Sequence, residues 1–275
     1  MLLLEADLSQ IESRFVFLLS DDPELVRLAT MAPYEYDAHT ANIVIVGLAK
    51  SREEVEKIRV EQPARFKQLR HLGKIVSHGA QRDMRGKTLS DNILKQLGIL
   101  VPATKCEQYI ANYHKRYPGI RERYFREIRR LVMRDRMLVN SWGRRIDFRY
   151  DRLDDALFRQ AYSFLPQSEN ADLLNQRGVI PLYRYMMERF GYPPHLQVHD
   201  SLLLSVRPED AYDVARVIES NLTKTLLIGG HKFRPFVEYK LGRDWGMADG
   251  VSFNRLPTRR EFTDAAFALA EKSRE

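Results

Sequence analysis

The chain has 275 residues, a net charge of +7, and 44% hydrophobic and 29% charged residues, which suits one large soluble domain or two modest ones. No apolar run is long enough to cross a membrane. A single cysteine, Cys106, excludes an intramolecular disulfide, and the absence of a Cys/His cluster at zinc spacing makes an intracellular, cytoplasmic setting the expectation.

Met1-Leu2-Leu3-Leu4 lacks a basic leader, and Glu5 and Asp7 interrupt its apolar run, so Leu2 to Asp7 reads as a buried strand and not as a signal peptide. Ser9, with Glu12 three residues on, predicts a capped helix to Ser20. Residues 30–40, rich in Pro and Tyr, read as a loop. Ser51 and Glu54 predict a second capped helix ending before Pro63, and a longer helix follows from Ala64 to Ala80. Thr104 and Glu107 predict a third cap, for a helix that stops at Tyr117-Pro118-Gly119. An arginine-rich helix comes next, then a hairpin over 137–150 with Gly143 at its turn, and helix from Ala171 to Phe190. Leu196 to Val206 reads as two strands about a tight turn at His199-Asp200. Pro208-Glu209-Asp210 opens a helix to Leu222, and Phe236 to Gly242 reads as a last strand. Residues 246–275 read as a weakly patterned tail ending in a short helix. Strands near both ends with helices between them argue for an α+β fold.

Charge is concentrated. From Lys115 to Arg149 there are twelve Lys and Arg against four acids, a local excess of +8 that exceeds the excess of the whole chain. Such a segment suits a phosphate backbone, and it also suits a solvated helix face. Two aspartates stand at the ends of apolar runs, Asp7 in Asp7-Leu8-Ser9-Gln10-Ile11-Glu12 and Asp200 in Gln197-Val198-His199-Asp200. Singly they read as cap and turn residues. Jointly, two carboxylates from strand ends can hold a pair of hard cations that activate a hydroxyl and steady a departing phosphate. On the central helix, Arg70, Lys74 and His78 at i, i+4 and i+8 lie along one face, a stripe that can meet a triphosphate.

In this order, the segments resemble the motifs of family A (DNA polymerase I-like) DNA polymerases from about residue 4 to 245. The resemblance implies an antiparallel palm sheet with a large helical fingers insertion, and no thumb or exonuclease domain within this stretch. It assigns residues 1–14 and 151–245 to the palm, 15–150 to the fingers and 246–275 to a C-terminal tail. It also implies that Asp7 and Asp200, with the Leu8 backbone, hold two magnesium ions. Gln10, Glu12, His39, Arg70, Lys74 and His78 would bind the deoxynucleoside triphosphate, with Glu12 excluding a 2′-hydroxyl. Arg82, Arg144, Arg145, Gln167 and His199 would touch the DNA primer-template.

The chain departs from the family pattern at three places. Ser201 stands where a Glu is usual, His78 where Phe or Tyr is usual, and Arg82-Asp83 where Tyr-Gly is usual. The second departure fits a phage-like source. Because the resemblance begins almost at the first motif, a separate thumb-bearing chain is expected as a partner. Three readings stay open: a catalytic palm and fingers module, a catalytically inactive DNA-binding remnant, and a basic structural protein with coincidental motifs.

Overall fold

Strict alternation shapes the first strand. In β1 (Leu2–Leu8), Leu2, Leu4, Ala6 and Leu8 are buried, while Leu3, Glu5 and Asp7 stay half-buried on the other face. A computed structural model describes residues 1–271. They divide into two compact units: Met1–Ile11, Ala32–Tyr34 and the described residues from Glu169 onward in one, Glu12–Met31 and Glu35–Ser168 in the other.

The first unit is built on an antiparallel sheet. β1 lies at its centre between β5 (Ser201–Val206) and β8 (Val237–Gly242); β4 (Leu196–Val198) flanks β5, and β9 (Val251–Phe253) flanks β8. The alternation of β8 matches that of β1. Val237, Tyr239 and Leu241 are buried, and Glu238 and Lys240 lie opposite Asp7 and Glu5 on the other face. Helices α10 (Ile180–Phe190), α11 (Ala211–Leu222) and α12 (Arg259–Glu271) accompany the sheet. Phe262 of α12 is fully buried, with its ring against Tyr239, Tyr212 and Phe253. The weakly patterned tail therefore holds an edge strand and a packed helix. Three-residue β9 is too short to show a period, as are β6 (Leu226–Ile228) and β7 (His231–Phe233), a hairpin the sequence reading lacked.

Leu4 has no exposed surface at the middle of the central strand. Leu4→Ala should destabilise the fold by about 2–5 kcal/mol in urea unfolding, from lost transfer energy and an unfilled cavity. A loss under about 1 kcal/mol would contradict the central place of β1.

The second unit is mostly helical. It holds α1 (Ile11–Leu19), α2 (Pro23–Thr30), α3 (Ala38–Ile45), α4 (Arg52–Glu61), α5 (Pro63–Gln81), α6 (Gly86–Leu97) and α7 (Ala103–Arg116). A π-helical turn, Ile120–Phe125, leads into α8 (Arg126–Asp135), followed by the hairpin β2 (Met137–Val139) and β3 (Arg145–Asp147). The chain returns to the first unit within α9 (Asp155–Leu173), and a second π-helical turn, Leu174–Val179, precedes α10.

The Ser51 cap is present. Its hydroxyl accepts from the Glu54 N–H, and the Glu54 carboxylate accepts from the Lys50 N–H. Two other predicted caps are corrected. α1 begins at Ile11, one residue later than a Ser9 cap would place it, and the Ser9 hydroxyl donates to Glu238 Oε1 at 2.6 Å. Thr104 lies inside α7, which starts behind Pro102 with no side-chain cap bond, because the proline already fixes the entry geometry. α2, α3 and α6 went unread. α2 and α3 are short, and each is capped by an aspartate, Asp22 and Asp37. Gly73 lets α5 approach α3 closely, since a Cβ there would come within 2.9 Å of the His39 carbonyl oxygen.

Candidate active site

Asp7 is the second-last residue of β1, paired with Ser201 on one side and Glu238 on the other. Asp200 sits in the two-residue turn between β4 and β5, and its carbonyl accepts from the Leu8 N–H at 2.9 Å. That bond ties the turn to the end of β1, so the two aspartates, far apart in sequence, become neighbours. The Ser201 hydroxyl donates to the Val198 carbonyl at 3.0 Å and closes the hairpin. His199 and Gln10 take left-handed backbone, with φ of 53° and 55°. Each costs about 1–2 kcal/mol, so the surrounding bonds hold the chain in a turn it would not choose alone.

Electrostatics follow from this packing. Burial, then the neighbouring Asp200 and Glu238 carboxylates, push the Asp7 carboxyl up from 3.8 to about 7, with Lys240 opposing. Lys240 is itself engaged by Glu5 at 2.9 Å. A divalent cation would offset both the burial and the like-charge repulsion, so these oxygen donors fit a hard metal ion. No group of three or more His, Cys, Asp or Glu forms a complete cage among the described residues. The other ligands of such an ion would be backbone, water and substrate oxygens, a mixture that suits magnesium.

The second unit carries the predicted stripe. Along α5 the neighbours Leu72, Gly73, Ile75, Val76 and Ser77 are buried, while Arg70, Lys74 and His78 remain accessible on one face, and Arg82 continues the series. Arg70 Nε donates to Asp37 Oδ2 at 2.8 Å, and Asp37 also caps α3 through the N–H groups of His39 and Thr40. Lys74 is exposed. His39 is buried, with its ring centroid 5.7 Å from that of His78. Burial, then His78 and Arg70, hold its pKa well below the ordinary value, so it stays neutral.

Glu12 meets two groups of this stripe. Arg82 Nη2 donates to Glu12 Oε2 at 2.6 Å, and His78 Nδ1 lies 3.5 Å from the same oxygen. Burial alone would raise the Glu12 carboxyl. The His78 hydrogen bond and the Arg82 charge outweigh it and bring the carboxyl down from 4.5 to about 2. A depressed acid stabilises the fold above its unfolded pKa of 4.5, and that stability is lost as pH falls toward about 2. A double-mutant cycle of Glu12→Gln and Arg82→Ala should give a coupling of about 1 kcal/mol at neutral pH, vanishing near the depressed pKa. Additive single effects would mean the pair contributes nothing.

Of the remaining expected residues, Arg144 and Arg145 are exposed at the β2–β3 turn, where Gly143 takes φ 85° and Asn140 Oδ1 accepts from the Trp142 and Arg144 N–H groups. Gln167 is exposed on α9 and His199 on the β4–β5 turn. Glu5, Glu238 and Lys240, which shape the field at Asp7, and Asp37, which anchors Arg70, were not read from the sequence as site residues. The period-two alternation of β1 and β8 was the available signal for the first three; for Asp37 it was the segment Asp37-Ala38-His39-Thr40, which resembles the family's Asp-x-His-Thr.

The chain is 28% identical over 255 residues to the thermostable DNA polymerase I of Thermus aquaticus, covering 89% of this chain and 27% of that protein. It is 23% identical over 266 residues to the DNA polymerase I of Synechocystis sp., covering 89% and 24%. The chain thus spans about a quarter of the length of these relatives. Its fold is similar to that of the POL domain of Pol1 from M. smegmatis, solved in complex with DNA primer-template and dNTP, with a TM-score of 0.67 and 23% identity over 90% of this chain and 41% of that one. The family model for DNA polymerase family A matches residues 1–247, and the chain belongs to that family.

Proposed function

We propose that this chain supplies the catalytic palm and fingers of a template-directed DNA polymerase, which transfers deoxyribonucleotides to a primer 3′-hydroxyl. The observation that carries the reading is the pairing of Asp7 and Asp200 at one end of the sheet, where burial and mutual repulsion leave uncompensated negative charge suited to a cation. Asp7, Asp200 and the Leu8 backbone would hold two magnesium ions. When bound, these would ease loss of the hydroxyl proton and neutralise charge on the departing pyrophosphate.

The other side chains then bind and orient. Arg70, held by Asp37, and Lys74 offer a fork and a point charge to the triphosphate. His39 is neutral and adds a hydrogen-bonding ring without further charge. Gln10 and His78 are assigned to the nucleotide by the motifs in which they stand. Glu12, kept ionised by His78 and Arg82, occupies the position that excludes a 2′-hydroxyl. Arg82 thereby serves Glu12 as well as the DNA, while Arg144, Arg145, Gln167 and His199 meet the strands.

A duplex grip, proposed to come from a thumb-bearing chain, would hold the primer end in attack geometry, because positioning supplies much of the rate in phosphoryl chemistry. Primer extension in magnesium, with and without such a chain, tests the reading. Absence of nucleotide addition in both conditions rejects it and leaves the DNA-binding remnant that Arg82-Asp83 suggests.

A further inference from the structure

The arginines of residues 115–149 do not form one uniform basic surface. Arg130 pairs with Glu127, Arg134 with Asp135, Arg149 with Asp147 and Arg116 with Glu24. Arg123 and Arg136 donate to the backbone carbonyls of Asp21 and Asp151. Arg121, Arg126 and Arg129 instead converge on one cavity of about 340 Å³, with Asp83, Phe125 and Tyr162 completing its lining. Asp83 lies 3.7 Å from Arg121, so three cations face one acid. Arg126 has no ion-pair partner among the described residues.

The cavity is preorganised. Arg129 lies over the Phe158 ring at 4.4 Å, and its Nε donates to the Tyr162 hydroxyl. The Tyr162 ring stacks on Phe125 with centroids 4.0 Å apart. Fixing a guanidinium before its ligand arrives removes an ordering cost from binding. Phe125 and Tyr162 are 5% and 1% exposed, so they form a floor and offer no free face to a base. The chemistry presented to a ligand is therefore that of forked cationic donors, which suits phosphate oxygens.

Asp83 lies two residues past the end of α5, so the cavity lies beyond the C-terminal end of the Arg70–Lys74–His78 stripe, roughly 18 Å along the helix from Arg70. On the proposed reading, the triphosphate of the incoming nucleotide lies toward the Arg70 end. The polyanion that reaches the other end is the strand whose base pairs with that nucleotide. We infer that Arg121, Arg126 and Arg129 form a phosphate cradle for the unpaired template strand of DNA. This rests on the polymerase reading for the identity of the strand, and on the cavity itself for the phosphate chemistry.

The test is equilibrium fluorescence anisotropy on the full chain, with labelled short oligo(dT) and a blunt duplex, between about 50 and 200 mM salt. Arg121→Ala with Arg126→Ala should weaken oligo(dT) binding about tenfold and reduce the salt slope by about 1–2. Blunt-duplex binding should be unchanged, and Arg130→Ala should alter neither. Both replaced arginines are exposed, and circular dichroism verifies the fold; the Gln pair is read in its place if the Ala pair unfolds. Unchanged oligo(dT) binding, no measurable oligo(dT) binding by wild type, or an equal loss on duplex overturns the cradle. Efficient displacement of oligo(dT) by inorganic pyrophosphate or dTTP also overturns it, by identifying a free-polyphosphate site. Because binding is read without catalysis, failed primer extension with the expected oligo(dT) loss would reject the polymerase reading alone.

Discussion

On the proposed reading, Asp200→Asn should abolish nucleotide addition in primer extension, by about three orders of magnitude or more, and should make the metal-free protein more stable. The two effects have one origin. Asp200 is part of the like charge that, after burial, raises Asp7 to about 7. Below pH 3.8 Asp7 is protonated in both folded and unfolded chains and contributes no difference. From 3.8 to about 7 the folded state retains a proton that the unfolded chain has released, so stability falls as pH rises and then levels off. Asparagine keeps the shape of residue 200 and removes its charge. The variant should therefore gain about 1 kcal/mol over wild type at neutral pH in chelator, a rise of roughly 2–4 °C in Tm, with the gap closing toward acid pH. Magnesium should reverse the order, because it stabilises the wild-type pair more than the half-neutralised one. Thermal unfolding with chelator and with magnesium, beside primer extension, reads all three. A variant less stable than wild type in chelator, with no difference in its magnesium response, would mean the two carboxylates do not share a cation site.

On the proposed reading, Lys74→Ala should raise KM for deoxynucleoside triphosphates by about 10–100-fold and leave DNA affinity within about twofold. Lys74 is the cleaner probe of the stripe. It is exposed and its ammonium makes no hydrogen bond or ion pair among the described residues, so its removal breaks no such bond. Arg70→Ala would release Asp37, which also caps α3, and would mix a structural effect with a binding one. The measurements are nucleotide binding at equilibrium, steady-state primer extension with the partner chain, and duplex binding by anisotropy. Equal losses on nucleotide and duplex would assign Lys74 to the DNA backbone and remove the triphosphate role.

The sequence by itself determined what travels through local geometry. Period-two alternation in Leu2–Leu8 and Val237–Gly242 settled which residues enter the core and which stand on the opposite face. The Ser51 cap, the Gly143 hairpin and the turn at His199-Asp200 were legible because each depends on a few adjacent residues. The spacing of Arg70, Lys74 and His78 was enough to align them on one helix face, since the helix repeat does that without help.

The tertiary structure alone decided which charges meet. Register put Glu238 opposite Asp7 and within reach of the Ser9 hydroxyl. Helix packing within the second unit brought Arg82 to Glu12, a pairing across 70 positions that no local pattern encodes. It also sorted the arginines of residues 115–149, neutralising Arg130, Arg134 and Arg149 while gathering Arg121, Arg126 and Arg129 at one cavity. The physical reason is range. Periodicity and capping act over one or two turns of backbone, whereas a buried charge responds to whatever the fold packs beside it, and in water those partners are too weakly coupled to be read before the chain is folded.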